Sequence, residues 1–198
     1  DINKRIKIKE PRLATREELL LVHEEDYINR FLAGILTEKE IRRIGLKPWK
    51  PEIIPRTLRL VGGALDALDE LLGGSIMAGN MAGGTHHAFR REGAGDCIFN
   101  DLAITAEVAL QKEEINRILI LDLDVHQGDG TADIFAGDDR VYTISLHGKN
   151  NFPFRKKTSD LDHGFEDGAG DKEYLRILDS VLDQFLEDSF DLIFFHIY

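Results

Sequence analysis

The sequence predicts an α/β fold built on a mainly parallel sheet, and three observations carry that expectation. Helical and extended patterns alternate along the chain, residues 117–124 (RILILDLD) form a continuous apolar run, and ionisable residues gather where the extended runs end. Alternation is what strands joined by crossover helices produce, and an unbroken apolar run is what a strand covered on both faces requires. At 198 residues with 42% hydrophobic content the chain can bury one core, so residues 1–198 read as a single domain.

Taken in order, Thr15 followed by Glu17 and Glu18 starts a helix that carries Leu19, Leu20 and Val22 on to Tyr27, Ile28, Phe31 and Leu32, stopping near Gly34. Residues 47–55 hold three of the five prolines, with Trp49 among them, and read as a loop. A helix over 56–72 ends at Gly73 and Gly74, and a short strand, SIMAG, follows over 75–79. After the glycine-rich stretch 79–95, Asn100 caps a helix running to about residue 112. The apolar run 117–124 is a strand, residues 131–135 a short helix, and 141–146 a second strand. A polar loop over 147–171 leads to a helix over 172–186 and a final strand over 191–198. Both ends read as cut: the chain opens in a charged segment and stops at Tyr198 inside FDLIFFHIY, which looks like a buried strand. The expectation is a piece of a longer domain, with the fold incomplete at both ends.

Composition narrows the function. A formal net charge of -11 argues against a binder of nucleic-acid phosphates, which draws its affinity from clustered Lys and Arg, and suits a cationic substrate better. The single cysteine, Cys97, excludes an intramolecular disulfide and the CxxC zinc frameworks, so any metal must use histidine and carboxylate ligands. Cys97 itself reads as a small buried hydrophobe. No stretch approaches the roughly 20 apolar residues of a membrane helix, and the opening residues do not resemble a signal peptide. A cytoplasmic protein is expected.

Ligands of an open parallel sheet gather outside the carboxyl ends of its strands, where loops converge. In LDLDVHQGDGT, period-two geometry sends Asp122, Asp124 and His126 the same way. Carboxylates and an imidazole converging there repel or titrate unless a cation neutralises them, and this donor set suits zinc, or iron, manganese or cobalt in its place. The same triplet alone also reads as loop caps. The adjacent His86 and His87 in GGTHHAF point different ways from a loop, so one can accept a proton while the other stabilises charge; on their own they are equally a surface feature. Asp122 and Asp129 are the carboxylates available to fix their tautomers. Ser145 and His147 close the next strand, as a plain strand end or as part of a monovalent-cation site. His23, His163 and His196 show no ligand spacing and read as structural or surface residues, and Trp49 and Tyr198 as packing.

In their order and spacing, GGTHHAF, GDCIFND, LDLDVHQGDGT and ISLHG resemble the histone deacetylase superfamily, and NNFPFRKKTSDLDHGFEDGAGDKEYL is similar to its class IV branch and bacterial relatives. The likeness runs from about Leu20 to the end. It implies a three-layer arginase/deacetylase-like fold and zinc-dependent hydrolysis of an acyl amide, acetyl-lysine or acetylpolyamine, to an amine and a carboxylate. It also implies roles: Asp124 and His126 as two zinc ligands, His87 as general base and acid with Asp129 as its partner, and His86 paired with Asp122 to stabilise the transition state. Asp122, Asp124, His126, Ser145 and Leu146 match a potassium site, Leu146 through its backbone; Gly95 matches a substrate-contacting backbone and Phe152 an aromatic wall of the acyl-lysine tunnel.

Two departures qualify the resemblance. Asp96 stands where many relatives carry an aromatic, which implies one polar tunnel wall. The family's third zinc ligand and its carbonyl-polarising tyrosine have no equivalent before Tyr198, so these residues alone are expected to be inactive and the longer parent active; robust deacetylation by residues 1–198 would refute this. Two other functions fit the architecture: an arginase-type ureohydrolase with two manganese ions, and a noncatalytic module that binds acylated partners. Hydroxamate inhibition without guanidine hydrolysis separates the first, and metal content with turnover the second.

Overall fold

The structure is a computed structural model that describes residues 8–185 and 189–197. Its helices are α1 (Arg16–Leu20), α2 (Glu25–Leu32), α3 (Glu38–Ile44), α4 (Ile53–Leu72), α5 (Asp101–Ala109), α6 (Asp129–Ile134) and α7 (Asp171–Phe185). Its strands are β1 (Ile118–Asp122), β2 (Val141–Gly148), β3 (Leu161–Phe165) and β4 (Leu192–His196). The four strands lie in the order β3-β2-β1-β4, and every pairing is parallel.

Strand periodicity divides the core between two faces. Ile118 and Ile120 of β1, Val141 of β2 and Phe194 of β4 join the larger cluster with Leu19, Phe31, Leu65 and Ile104 from α1, α2, α4 and α5. Leu119 and Leu121 turn the other way, with Ile144 and Leu146, onto Val181 and its neighbours on α7. Helices therefore cover both faces of the sheet in an α/β/α sandwich, as the apolar run of β1 requires. The chain before α1 crosses α4 closely: a Cβ on Gly62 would lie 1.9 Å from the Arg12 carbonyl oxygen. Among the described residues no helix is long and apolar enough to cross a membrane.

The structure corrects four local expectations. The single helix over 15–34 is two, because residues between α1 and α2 turn to bond elsewhere: Glu24 N donates to Arg90 O at 2.7 Å and His23 Nδ1 meets Phe89 O at 2.9 Å. Residues 75–79 form no strand; Ile76 and Met77 are exposed, and among the described residues no strand pairs with them. The polar loop 147–171 contains β3, an edge strand too polar to show as an apolar run. The final strand is covered on one face only, since Ile193, Phe195 and Ile197 are exposed. One helix went unread, α3, although Thr37 and Glu40 form a reciprocal capping box at its start. The expectations for residues 186 and 198 lie outside the described residues.

Candidate active site

The carboxyl edge of the sheet places the ionisable residues. Asp122 is the last residue of β1, and register sets it beside Ser145 of β2 and His196 of β4. All three share the face of Ile118 and Ile120 by period-two alternation. The strand then turns, with Asp124 N donating to Asp122 Oδ1 at 3.0 Å, so that Asp124 follows on the same side.

The loop carrying His86 and His87 is tied down before it reaches the sheet. Asp101, at the first turn of α5, accepts from Thr85 N at 2.7 Å and from Gly84 N at 3.0 Å, and Thr85 Oγ1 donates to it at 2.7 Å. Asn100 caps the same helix and also bonds Thr131 of α6 at 3.0 Å. Thr131 N in turn donates to His86 O at 3.1 Å. A Cβ on Gly130 would lie 2.4 Å from Ala88 O, so the helix presents bare backbone where the loop passes.

Both histidines are buried and each faces its own carboxylate. His86 Nδ1–H donates to Asp122 Oδ2 at 2.6 Å, and His87 Nδ1–H to Asp129 Oδ1 at 2.7 Å. Their rings lie 4.1 Å apart between centroids. Burial holds the His87 pKa below the ordinary histidine range; the Asp129 bond works against this and neighbouring His86 adds to it. For His86 burial also acts downward, but the charge and hydrogen bond of Asp122, with Asp124 and Asp129 beyond, raise its pKa overall. The two adjacent imidazoles are thus shifted in opposite directions, His87 toward its neutral form and His86 toward its protonated form.

Asp124 and His126 face each other, with Asp124 Oδ1 2.9 Å from His126 Nδ1 and 2.6 Å from its backbone N. Two atoms sharing one zinc at about 2.0–2.2 Å lie roughly 3–4 Å apart, so this carboxylate and imidazole fit one ion with slight opening. A donor set of one carboxylate and one imidazole suits a divalent ion. A different trio also has metal-binding proximity: one donor atom each from His86, Asp122 and His196 lie within 4.8 Å of one another.

Phe152 stands edge-on to His87 with centroids 4.8 Å apart, and Gly95 closes the gap between them. A Cβ on Gly95 would lie 2.7 Å from His87 and 2.8 Å from Phe152. Asp96 is exposed with a left-handed φ of 63°, and its carboxylate lies over Gly45 at the end of α3. Ser145 and Leu146 are buried, and Ser145 Oγ is 3.0 Å from His147 Nδ1. Cys97 is buried, and burial pushes its thiol pKa up. Trp49 packs edge-on against Phe31, and His163 is half-buried against Phe165.

A family model described as the histone deacetylase domain matches residues 1–193. The chain belongs to the histone deacetylase family. Among curated members it is 48% identical over 189 residues to an uncharacterized protein of Picosynechococcus, covering 95% of this chain and 62% of that one. It is 37% identical over 171 residues to the acetoin utilization protein AcuC of Staphylococcus aureus, covering 82% of this chain and 44% of AcuC. Among solved structures it matches an HDAC homolog from Aquifex aeolicus with a TM-score of 0.79 at 29% identity, over 93% of this chain and 55% of that one. An HDAC homolog complexed with SAHA matches at the same TM-score with 30% identity. The chain therefore spans about half the length of these relatives, between 44% and 62%.

Against this family frame, the structure adds three residues that sequence reasoning did not single out for the site. His196 is 7% exposed and faces the carboxylates, where the sequence reading had made it structural or surface. Its position follows from register, which no motif spacing encodes. Asp101 anchors the histidine loop. Gln127, 1% exposed, bonds Lys157 O at 2.8 Å and Asp162 at 2.7 Å and so fastens the loop behind Phe152. His23 is the structural residue expected, bonded through both ring nitrogens to Phe89 O and Asn100 N.

Proposed function

We propose that the whole protein is a metal-dependent deacetylase that hydrolyses an acyl amide of the acetyl-lysine or acetylpolyamine type. The observation that carries this reading is the pair of buried His–Asp couples, His86–Asp122 and His87–Asp129, beside Asp124 and His126. Asp124 and His126 would hold zinc, or iron, manganese or cobalt in its stead, and such an ion polarises the acyl carbonyl and makes water more acidic. Neutral His87, its Nδ1–H fixed by Asp129, takes the proton of the attacking water at Nε2. It then returns that proton to the amine nitrogen as the C–N bond breaks. His86, held charged by Asp122, donates toward the oxygen on which negative charge develops. Phe152 and Gly95 border the acyl-lysine chain. Asp122, Asp124, His126, Ser145 and the Leu146 carbonyl would hold a potassium ion beneath the site.

The test is turnover of acetyl-lysine peptides and acetylpolyamines by the whole protein, with the His87→Ala variant alongside. Loss of a positioned proton carrier typically costs about 100 to 10,000-fold in rate. Equal turnover in the variant would remove His87 from the mechanism, and no hydrolysis of any acylated amine by the intact protein would end the reading.

A further inference from the structure

We propose that Lys156 is a positioning residue: its ammonium group ties together the two ends of the turn that carries Phe152, and so sets where that ring stands beside His87. This role rests on the reading of Phe152 as a border of the acyl chain and deepens it by naming what holds the border in place.

The segment around Phe152 has little else to fix it. Before it, Asn151 N donates to Gly148 O at 3.1 Å, and after it Lys157 N donates to Gln127 Oε1 at 2.8 Å. Between these anchors, among the described residues, no backbone–backbone hydrogen bond involves residues 152–156. Pro153 is buried and Lys156 half-buried, whereas Phe152, Phe154 and Arg155 are exposed. A stretch with unpaired backbone and mostly exposed side chains opens at little cost unless something ties it.

Lys156 supplies the tie. Its Nζ donates to Asn151 O at 2.6 Å and to Pro153 O at 2.7 Å. The first carbonyl belongs to the peptide plane that ends at Phe152 N and the second to the plane that leaves Pro153, so one charged group brackets Phe152 from both sides. The ring of Pro153 fixes its own φ, which carries the constraint inward. Hydrogen bonds from a charged donor are about twice as strong as neutral ones. Lys149 and Lys157 nearby spend their ammonium groups on Glu166 and Asp133, whereas among the described residues Lys156 forms no ion pair and gives its donors to the backbone. Burial holds its pKa below the ordinary lysine range, and the carboxylate whose charge works against that shift is Asp129, the partner of His87. The turn thus delivers the Phe152 ring at 4.8 Å from that of His87 and 6.4 Å from that of His126, with Gly95 limiting it on one side and the tie limiting the chain that carries it.

The experiment compares the whole protein with Lys156→Met, unbranched and of similar length but without donors, and with Arg155→Met, which removes a charge from the same segment and leaves the tie intact. Two quantities are read: the imidazole NMR signals of His87, which lie within the ring current of Phe152, and KM and kcat for acetyl-lysine peptides and acetylpolyamines. In Lys156→Met the His87 signals should move and KM should rise about tenfold, the scale of one lost charge-assisted hydrogen bond, with kcat little changed. Arg155→Met should match the wild type in both. Unmoved His87 signals in Lys156→Met, or an equal shift in Arg155→Met, would overturn the proposal. Moved signals with an unchanged KM would make the tie a matter of folding alone and overturn the positioning role. Moved signals in a protein whose wild type hydrolyses no acylated amine would end the deacetylase reading and leave the tie standing. Should Lys156→Met fail to fold, ammonium proton exchange in the wild type decides: exchange at Lys156 should be slower than at exposed Lys172, and equal rates overturn the tie.

Discussion

Strands β1 and β4 run side by side in register, each a short apolar run ending in an ionisable residue, yet they sit in different surroundings. Every residue of β1 is buried, while β4 is buried at alternate positions and exposes Ile193 and Phe195. The ends differ as well. Asp122 closes β1 with both oxygens bonded, to His86 and to Asp124 N, whereas His196 closes β4 with an Nε2 that has no hydrogen-bond partner among the described residues. An apolar run thus tells that a segment is a strand, but the number of faces it buries depends on what flanks it.

The sharpest way to break this contrast is truncation of matched side chains. Ile120→Ala removes a side chain 1% exposed at the centre of the sheet and should cost about 2–5 kcal/mol, read from the urea midpoint at constant slope. A cost below about 1 kcal/mol would mean that β1 is not the packed centre. At the strand ends, Asp129→Ala frees the His87 ring and should lower turnover of the whole protein by about 10–100-fold, with the effect in kcat. Unchanged kcat would show that the couple does not set the base.

Acid titration sharpens the contrast between histidines that are satisfied and one that is not. Burial pushes the His23 pKa down from the ordinary histidine value of about 6.5 to about 4, so the unfolded chain takes the proton first. The stability it contributes is complete above about pH 6.5 and is lost as pH falls toward about 4, with a slope of up to about 1.4 kcal/mol per pH unit. His23→Gln should flatten that part of the stability profile, and a profile identical to wild type would refute it. The smallest effect belongs to the open face of β4: Phe195→Ser, at 56% exposure, should change stability by no more than about 0.5 kcal/mol. A loss of several times that would show the face to be covered in solution.

How much of this the sequence disclosed follows the same division. Strands β1 and β2 were readable because double burial leaves an uninterrupted aliphatic run, and α5 because Asn100 is both a capping residue and the start of an apolar stretch. That Asp122 and Asp129 would serve the two histidines could be anticipated from chemistry, since an imidazole in such a place needs an acid, whereas which histidine takes which acid came from the family resemblance. β3 was hidden because an edge strand carrying Asp162, His163 and Gly164 has no apolar pattern. Residues 75–79 misled because Ile76 and Met77 are apolar without being buried. His196 was out of reach for another reason: its neighbours come from β1, more than seventy positions earlier, and pairing register is a property of the folded sheet.

Asp101 has a consequence that reaches beyond stability. By gripping Gly84 and Thr85 it makes the stretch that leads to His86 an extension of a packed helix. Conformational freedom that has already been surrendered in folding does not have to be surrendered again when a ligand arrives, so affinity here is not reduced by an ordering step.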